Sequence, residues 1–174
     1  MIKKILKKLY NIGKVNTSLE YKIGKKKFHN SLVDSLIPQF VEIGENFVSG
    51  PGSIILAHDA SLYFHNGCYR VERTIIGDNV FLGANAVVLP GVKIGNQVII
   101  GAGAVVTKNV EDNMVVAGNP AKIISSVDEY INKCKERGCL VEAPKSFSKV
   151  YNNELLTKKD IDDFRKLCIL SKKS

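Results

Sequence analysis

The sequence predicts an all-β solenoid, in which short strands wind around a narrow interior, with a short helix before it and helices after it. Three observations carry this. First, residues 76–111 divide into six consecutive hexads: IGDNVF, LGANAV, VLPGVK, IGNQVI, IGAGAV and VTKNVE. Their first positions (Ile76, Leu82, Val88, Ile94, Ile100, Val106) are all aliphatic, and their fifth positions (Val80, Ala86, Val92, Val98, Ala104, Val110) are all small and apolar. Second, a period of six fits neither the 3.6 of a helix nor the 2 of an uninterrupted strand, so the strands must be broken by corners at regular intervals. Third, Gly77, Gly83, Gly95 and Gly101 recur at second positions, followed by Asp, Asn, Ala or Gln. Glycine and asparagine tolerate the positive φ of tight corners, while Val and Ala suit a narrow interior.

Composition bounds the rest. The 174 residues have room for one compact domain plus appendages. With 45% hydrophobic and 24% charged residues, a core is expected and wholesale disorder is not. No stretch approaches the apolar run of about 18 residues that a membrane span needs, and no apolar region follows the N-terminal lysines as a secretory signal requires. The four cysteines (Cys68, Cys134, Cys139, Cys168) lack CxxC spacing, so reduced thiols in a cytoplasmic protein are expected. The net charge of +8 has one source: residues 1–30 hold nine lysines against Glu20, and the remaining sixteen positive and sixteen negative residues cancel. A nucleic-acid-binding fold carries its charge on the folded surface, so no nucleic-acid partner is expected.

Taken in order, residues 1–29 form a basic N-terminal segment. Within residues 1–12, Ile2, Ile5, Leu6, Leu9 and Tyr10 fall at helical spacing with lysines opposite. Such a helix packs its apolar stripe on the body of the protein, or is drawn weakly to an anionic membrane surface. The solenoid is expected over residues 30–124. The phase of the hexads recurs in Ile43-Gly44-Glu45-Asn46-Phe47-Val48, but the interval from Ile43 to Ile76 is not a whole number of hexads. Reading Arg70–Ile75 as a hexad places an inserted loop at about residues 61–69, with Asn66-Gly67 as a tight turn inside it. Residues 125–174 change character into a helical tail. Ser126-Val127-Asp128-Glu129 is a capping box opening a helix that ends near Gly138. Thr157 to Asp160 opens another, with Phe164, Leu167 and Cys168 as its apolar stripe. This tail is expected to cap the open end of the solenoid.

On these hexads the chain resembles the hexapeptide-repeat acyltransferases, over about residues 30–124. The resemblance implies a left-handed parallel β-helix with three hexads per turn, and a homotrimer with each active site between two subunits. Ile54-Ile55-Leu56-Ala57-His58-Asp59-Ala60-Ser61 is similar to members that acetylate sugars in surface polysaccharide synthesis, a group near the galactoside- and maltose-type acetyltransferases. The family's catalytic histidine stands ahead of a Val-Thr-Lys stretch. Here Val106-Thr107-Lys108 follows His58 at a matching interval, which implies His58 as general base. An imidazole can take an alcohol's proton at neutral pH and pass it to a departing thiolate. A carboxylate orienting its other nitrogen is expected from Asp34, Glu42 or Asp59. Counting back from the hexads, Asn30 matches a residue that meets the acceptor, and His65 of the inserted loop is a second acceptor candidate. For coenzyme A, the resemblance implies the corners at Ala84 and Ala102 along the pantetheine arm, Thr107 and Lys108 near the adenosine end, and Lys122 at a phosphate.

The expected activity is therefore acetyl-CoA-dependent O-acetylation of a sugar hydroxyl, without a metal, in the cytoplasm or at the inner face of the membrane through residues 1–12. N-acetylation of an amino sugar and serine acetylation are variants of the same chemistry. A zinc protein resembling the γ-type carbonic anhydrases, with His29, His58 and His65 as its three histidines, and a non-catalytic solenoid are the readings from other classes.

Overall fold

The computed structural model describes residues 21–152 and 154–171; the basic segment at residues 1–12 lies outside them. The described chain visits three parallel sheets in rotation. Sheet A holds β1 (Lys22–Ile23), β4 (Val41–Ile43), β9 (Thr74–Ile76) and β12 (Lys93–Ile94). Sheet B holds β2 (Lys27–Phe28), β5 (Phe47–Ser49), β10 (Phe81–Leu82), β13 (Ile99–Ile100), β15 (Met114–Ala117) and β16 (Lys122–Ser126). Sheet C holds β3 (Leu32–Val33), β6 (Ile54–Ile55), β11 (Val87–Val88) and β14 (Val105–Val106). The result is a three-sided prism whose sheets run parallel, apart from the antiparallel β15–β16 pair at its end.

The hexad explains the register. Ile76 pairs with Ile94, Leu82 with Ile100 and Val88 with Val106, each partner lying three hexads on, so three hexads complete one turn. These six first-position side chains are at most 3% exposed, and the fifth positions Val80, Ala86, Val92, Val98 and Ala104 at most 2%. Each large aliphatic side chain so buried contributes roughly 1.5–3 kcal/mol. The corners divide two tasks that the sequence pattern merges. Positive φ falls on fourth positions: Asn46, Asn79, Asn85 and Gln97 at 55–57°, Gly91 at 84° and Gly103 at 69°. The second-position glycines serve closeness instead. A Cβ on Gly77 would sit 2.7 Å from the Gly95 carbonyl oxygen, and one on Gly83 would sit 2.4 Å from the Ala102 nitrogen. Third-position side chains then tie coil to coil: Asp78 Oδ1 accepts the Glu45 amide (2.7 Å), Asn96 Oδ1 the Asp78 amide (2.9 Å) and Asp112 Oδ1 the Asn96 amide (2.7 Å).

The structure moves four boundaries. The first coil begins at Lys22, which pairs with Glu42, so the solenoid starts upstream of residue 30. Ile43 pairs with Ile76, an interval of five and a half hexads where three suffice in the regular turns that follow. The excursion is therefore larger than the loop expected at 61–69. Arg70–Ile75 is not a hexad. Arg70 and Val71 form β8 (Arg70–Val71), which runs antiparallel to β7 (His58–Asp59) and closes the neck of the excursion. Its tip is a single helical turn, α1 (Tyr63–Asn66), ended by Gly67 in the left-handed conformation (φ 74°), so Asn66-Gly67 terminates a helix and is not a two-residue turn. At the far end Val110 bridges to Ile94, although Val110 stands short of three hexads beyond it. The hexad at 106–111 is thus out of phase, and Val110 takes a first-position place.

The fourth change concerns the tail. Both capping boxes are present, Ser126 with Glu129 opening α2 (Val127–Glu136) and Thr157 with Asp160 opening α4 (Lys158–Leu170). α2 sits against β15 and β16 at the end of the prism. From there the chain returns to the first coil, where Phe147, Val150 and Tyr151, around α3 (Ser148–Tyr151), line a cleft with Phe28 of β2. Phe147 packs on Phe164 with ring centroids 4.8 Å apart, tying α4 to this segment. The tail therefore lies along the outside of sheet B.

Close stacking makes a direct expectation. Gly77→Ala is expected to cost about 1–3 kcal/mol, because the new methyl meets backbone that cannot yield without parting two coils. Gly103→Asn, where nothing lies within 4 Å and φ is 69°, is expected to cost under about 1 kcal/mol. Urea unfolding of the two variants checks the contrast.

Candidate active site

Three successive coils leave sheet C at the same prism edge. The Leu56 amide donates to Val88 O and the Leu89 amide to Val106 O, so the segments at Leu56–His58, Leu89–Gly91 and Thr107–Asn109 stack. One coil below, the Asp34 amide donates to Ile55 O at 2.9 Å. This edge, where sheet C gives way to sheet A, lies opposite sheet B and its helical covering.

Asp34 and His58 meet at this edge. The Asp34 side chain is fully buried and its two oxygens accept from five donors. Oδ1 takes the amides of Leu36 and Ile37, and Oδ2 takes the amides of Ala57 and His58, all at 2.9 Å. Oδ2 also takes His58 Nδ1 at 2.5 Å. Burial alone would push the Asp34 carboxyl up. The amides of Ile37, Ala57 and Leu36 and the imidazole outweigh it and hold the group below its ordinary value. An ionised carboxylate only accepts, so Nδ1 of His58 carries a proton, and in the neutral ring the lone pair then falls on Nε2. The His58 side chain is 21% exposed, enough for a substrate to reach it.

Of the three orienting candidates, Asp34 is the one whose carboxylate reaches a ring nitrogen of His58. Glu42 is engaged on sheet A, where it pairs with Arg73 and Lys22. Asp59 accepts the Ser61 amide at 2.7 Å, a bond that holds its carboxyl low and shapes the entry to the excursion. Asn30 lies between β2 and β3 with its amide on Ser49 Oγ (2.9 Å). His65 is exposed in α1. His29 is elsewhere, its Nε2 3.2 Å from the Tyr21 hydroxyl, with burial and then the Lys27 charge pushing its pKa down. Among the described residues, no group of three His, Cys, Asp or Glu is placed to hold a metal ion.

The residues expected along coenzyme A fall on two edges. Thr107 and Lys108, both exposed, share the His58 edge two coils on, roughly 10 Å further along the axis. Ala84 and Ala102 occupy the other edge of sheet C, where the Ala84 carbonyl accepts the Gly103 amide at 2.8 Å. Residues 118–121 run beside β14, through Val105 N to Gly118 O and Ala121 N to Val105 O, and bring exposed Lys122 to the same end.

Sequence reasoning assigned nothing to the residues that hold His58 from above. Arg70 pairs with Glu72 and donates to Pro90 O at 3.0 Å, pinning the returning strand to the next coil. The Glu72 amide bonds Ala57 O (3.0 Å) and Thr74 Oγ1 bonds Leu56 O (2.6 Å). Tyr69 lies beside the imidazole, its ring 26° from parallel with centroids 6.2 Å apart. The available signal was the run of Tyr63, Phe64 and Tyr69 in an otherwise polar excursion just after His58.

The buried carboxylate sets a pH dependence. Its folded pKa is lowered, so its contribution to stability is complete above the ordinary value of 3.8 and is lost as pH falls through the lower folded value. Asp34→Asn turns an NH2 toward amide donors and is expected to cost about 1–3 kcal/mol at pH 7. The gap to wild type is expected to narrow below pH 3.8 in denaturant titrations run across pH.

Comparison with known proteins agrees with this architecture. Residues 73–108 match the family described as bacterial transferase hexapeptide (six repeats). YvoF of Bacillus subtilis (strain 168), which carries an acetyltransferase assignment, is 37% identical over 122 residues, 69% of each chain. Protein CapG of Staphylococcus aureus is 44% identical over 103 residues, 57% of this chain and 60% of its own length. A hexapeptide-repeat acetyltransferase of Vibrio cholerae O1 biovar eltor, solved with acetyl coenzyme A, superposes with a TM-score of 0.54 at 28% identity, over 60% of this chain and 58% of that one. The repeat, the three-sided prism and these relatives place the chain in the hexapeptide-repeat family of acyltransferases, with the left-handed parallel β-helix that defines its fold.

Proposed function

We propose that the protein transfers the acetyl group of acetyl-CoA to a sugar hydroxyl, with His58 as general base. The observation that carries this is the Asp34–His58 pair, in which Asp34 engages Nδ1 and leaves Nε2 as the ring nitrogen free to act at an edge shared with Thr107 and Lys108. Nε2 takes the hydroxyl proton as the oxygen attacks the thioester carbonyl. The C–S bond then breaks, and the imidazolium returns the proton to the departing thiolate. Asp34 keeps the ring in the one tautomer that can begin this cycle and offsets the charge that develops on it. Direct transfer needs no covalent enzyme intermediate once both substrates are held together. The acetyl donor is supported by the acetyl coenzyme A bound to the Vibrio cholerae relative. The sugar acceptor is supported by the resemblance of residues 54–61 to polysaccharide-modifying members, and by the excursion that stands beside His58.

A trimer belongs to the same proposal. Phe28 of β2 borders the helical tail and is still half exposed, and Leu32 on sheet C is exposed and apolar. Ala84 and Ala102 lie on a different edge from Thr107 and Lys108, so two subunits meeting along sheet C would bring both sets to one cleft. Sedimentation is expected to give a trimer whose activity falls on dilution. A monomer with undiminished activity would overturn this.

His58→Ala is expected to lower turnover by on the order of 10² to 10⁴ while leaving folding and coenzyme A affinity near wild type. His58→Asn is expected to be no better, because an amide takes up no proton at neutral pH. The assay follows thiol release from acetyl-CoA against free sugars, nucleotide sugars, serine and lipid-linked saccharides. Wild-type turnover in His58→Ala, with the loss in His29→Ala or His65→Ala instead, would refute the assignment.

A further inference from the structure

We propose that Tyr69 is a positioning residue for His58, holding the imidazole plane while Asp34 holds its edge; this rests on reading His58 as the base. The Tyr69 and His58 rings lie 26° from parallel with centroids 6.2 Å apart, an offset stack. Tyr69 is itself braced. Tyr63 meets it edge to face at 5.7 Å, and Phe64 meets Tyr63 edge to face at 5.3 Å, so an aromatic row runs from the tip of the excursion to the base. The backbone beside Tyr69 is fixed as well, because Arg70 pairs with Asp59 across the neck, with Glu72 just beyond its own strand and with Pro90 O on the next coil.

These aromatics do not serve the core. No residue of α1 is buried, Tyr63 and Tyr69 are about half exposed, and Phe64 is 94% exposed. Their contact with His58 gives the row a task that burial does not. A hydrogen bond at Nδ1 fixes one corner of the imidazole but leaves the ring free to tilt about that bond. An aromatic face on one side stops the tilt in that direction and keeps water from it, so that Nε2 is aimed along the edge. When His58 takes the proton, the same face meets a cation, which an aromatic ring attracts. The phenol hydroxyl has no part in this, so phenylalanine should serve as well as tyrosine.

The test compares full-length Tyr69→Leu and Tyr69→Phe with wild type by steady-state kinetics and, without substrates, by the NMR resonance of the His58 ring Cε1 proton. Tyr69→Leu is expected to lower kcat by about 10-fold or more, with KM for acetyl-CoA and the unfolding midpoint unchanged. It is also expected to shift and broaden the His58 resonance as the neighbouring ring current is lost. Tyr69→Phe is expected to keep kcat within about twofold and the resonance near its wild-type position. Wild-type kcat in Tyr69→Leu, a rise in acceptor KM alone, equal damage in Tyr69→Phe, or a lowered unfolding midpoint would each overturn the proposal. If wild type acetylates no acceptor, the functional reading fails, and an unmoved His58 resonance in Tyr69→Leu still overturns the role of Tyr69.

Discussion

Each coil of this prism must return to the same lateral position, in the regular turns after three hexads, within hydrogen-bonding distance of the coil beneath. That constraint sets nearly everything else. The side chains buried along the axis are mostly Val, Ile, Leu and Ala, joined by Phe47, Ser49, Ser53 and Thr74. At Gly77, Gly83 and Gly95 the constraint requires bare backbone, where the stacked coil leaves no room for a Cβ, and it sets left-handed residues at most fourth positions. It also turns sequence distance into axial distance, so Asp34, His58 and Lys108 line one edge although the chain separates them widely.

The site uses this geometry to place a charge where it would otherwise be costly. Asp34 is buried between coils, and four backbone amides from its own corner and the corner above aim at its two oxygens. Leu36 and Ile37 supply theirs from the turn that follows Asp34, and Ala57 and His58 supply theirs from the entry to β7. The carboxylate thus draws its solvation from the fold and has one strong acceptor direction left, which His58 fills. The tautomer of the imidazole follows from the stacking of two corners.

Much of this was legible in the residues. Aliphatic and small side chains alternating through six successive hexads announce the solenoid, and the capping boxes at Ser126 and Thr157 fall where two helices begin. His58 stood out by its place at the end of a hydrophobic strand. What the pattern could not carry depends on which residue sits above which. Arg70–Ile75 mimics a hexad because Arg70 and Val71 alternate as a strand does, yet their partners are His58 and Asp59, not a neighbouring coil. Val110 has hexad spacing from Ala104, but it shifts register because the last corner is cut short. Glu42, Asp59 and Asp34 are equivalent as letters; only burial and converging donors single out Asp34. The start of the first coil was obscured because Lys22 and Lys27 look like part of the basic segment, although both lie in strands.

At the neck of the excursion two strands close on each other, and Glu72 and Thr74 fasten the exit to the residues at which it leaves, Ala57 and Leu56. The coil therefore resumes at Thr74 as though the chain had never left it, and no interior side chain depends on what the tip contains. Such a plan separates inheritance of the scaffold from invention at the rim. Mutational drift, lengthening or wholesale exchange between β7 and β8 can remodel what approaches His58 while the stacked coils keep their heritage intact.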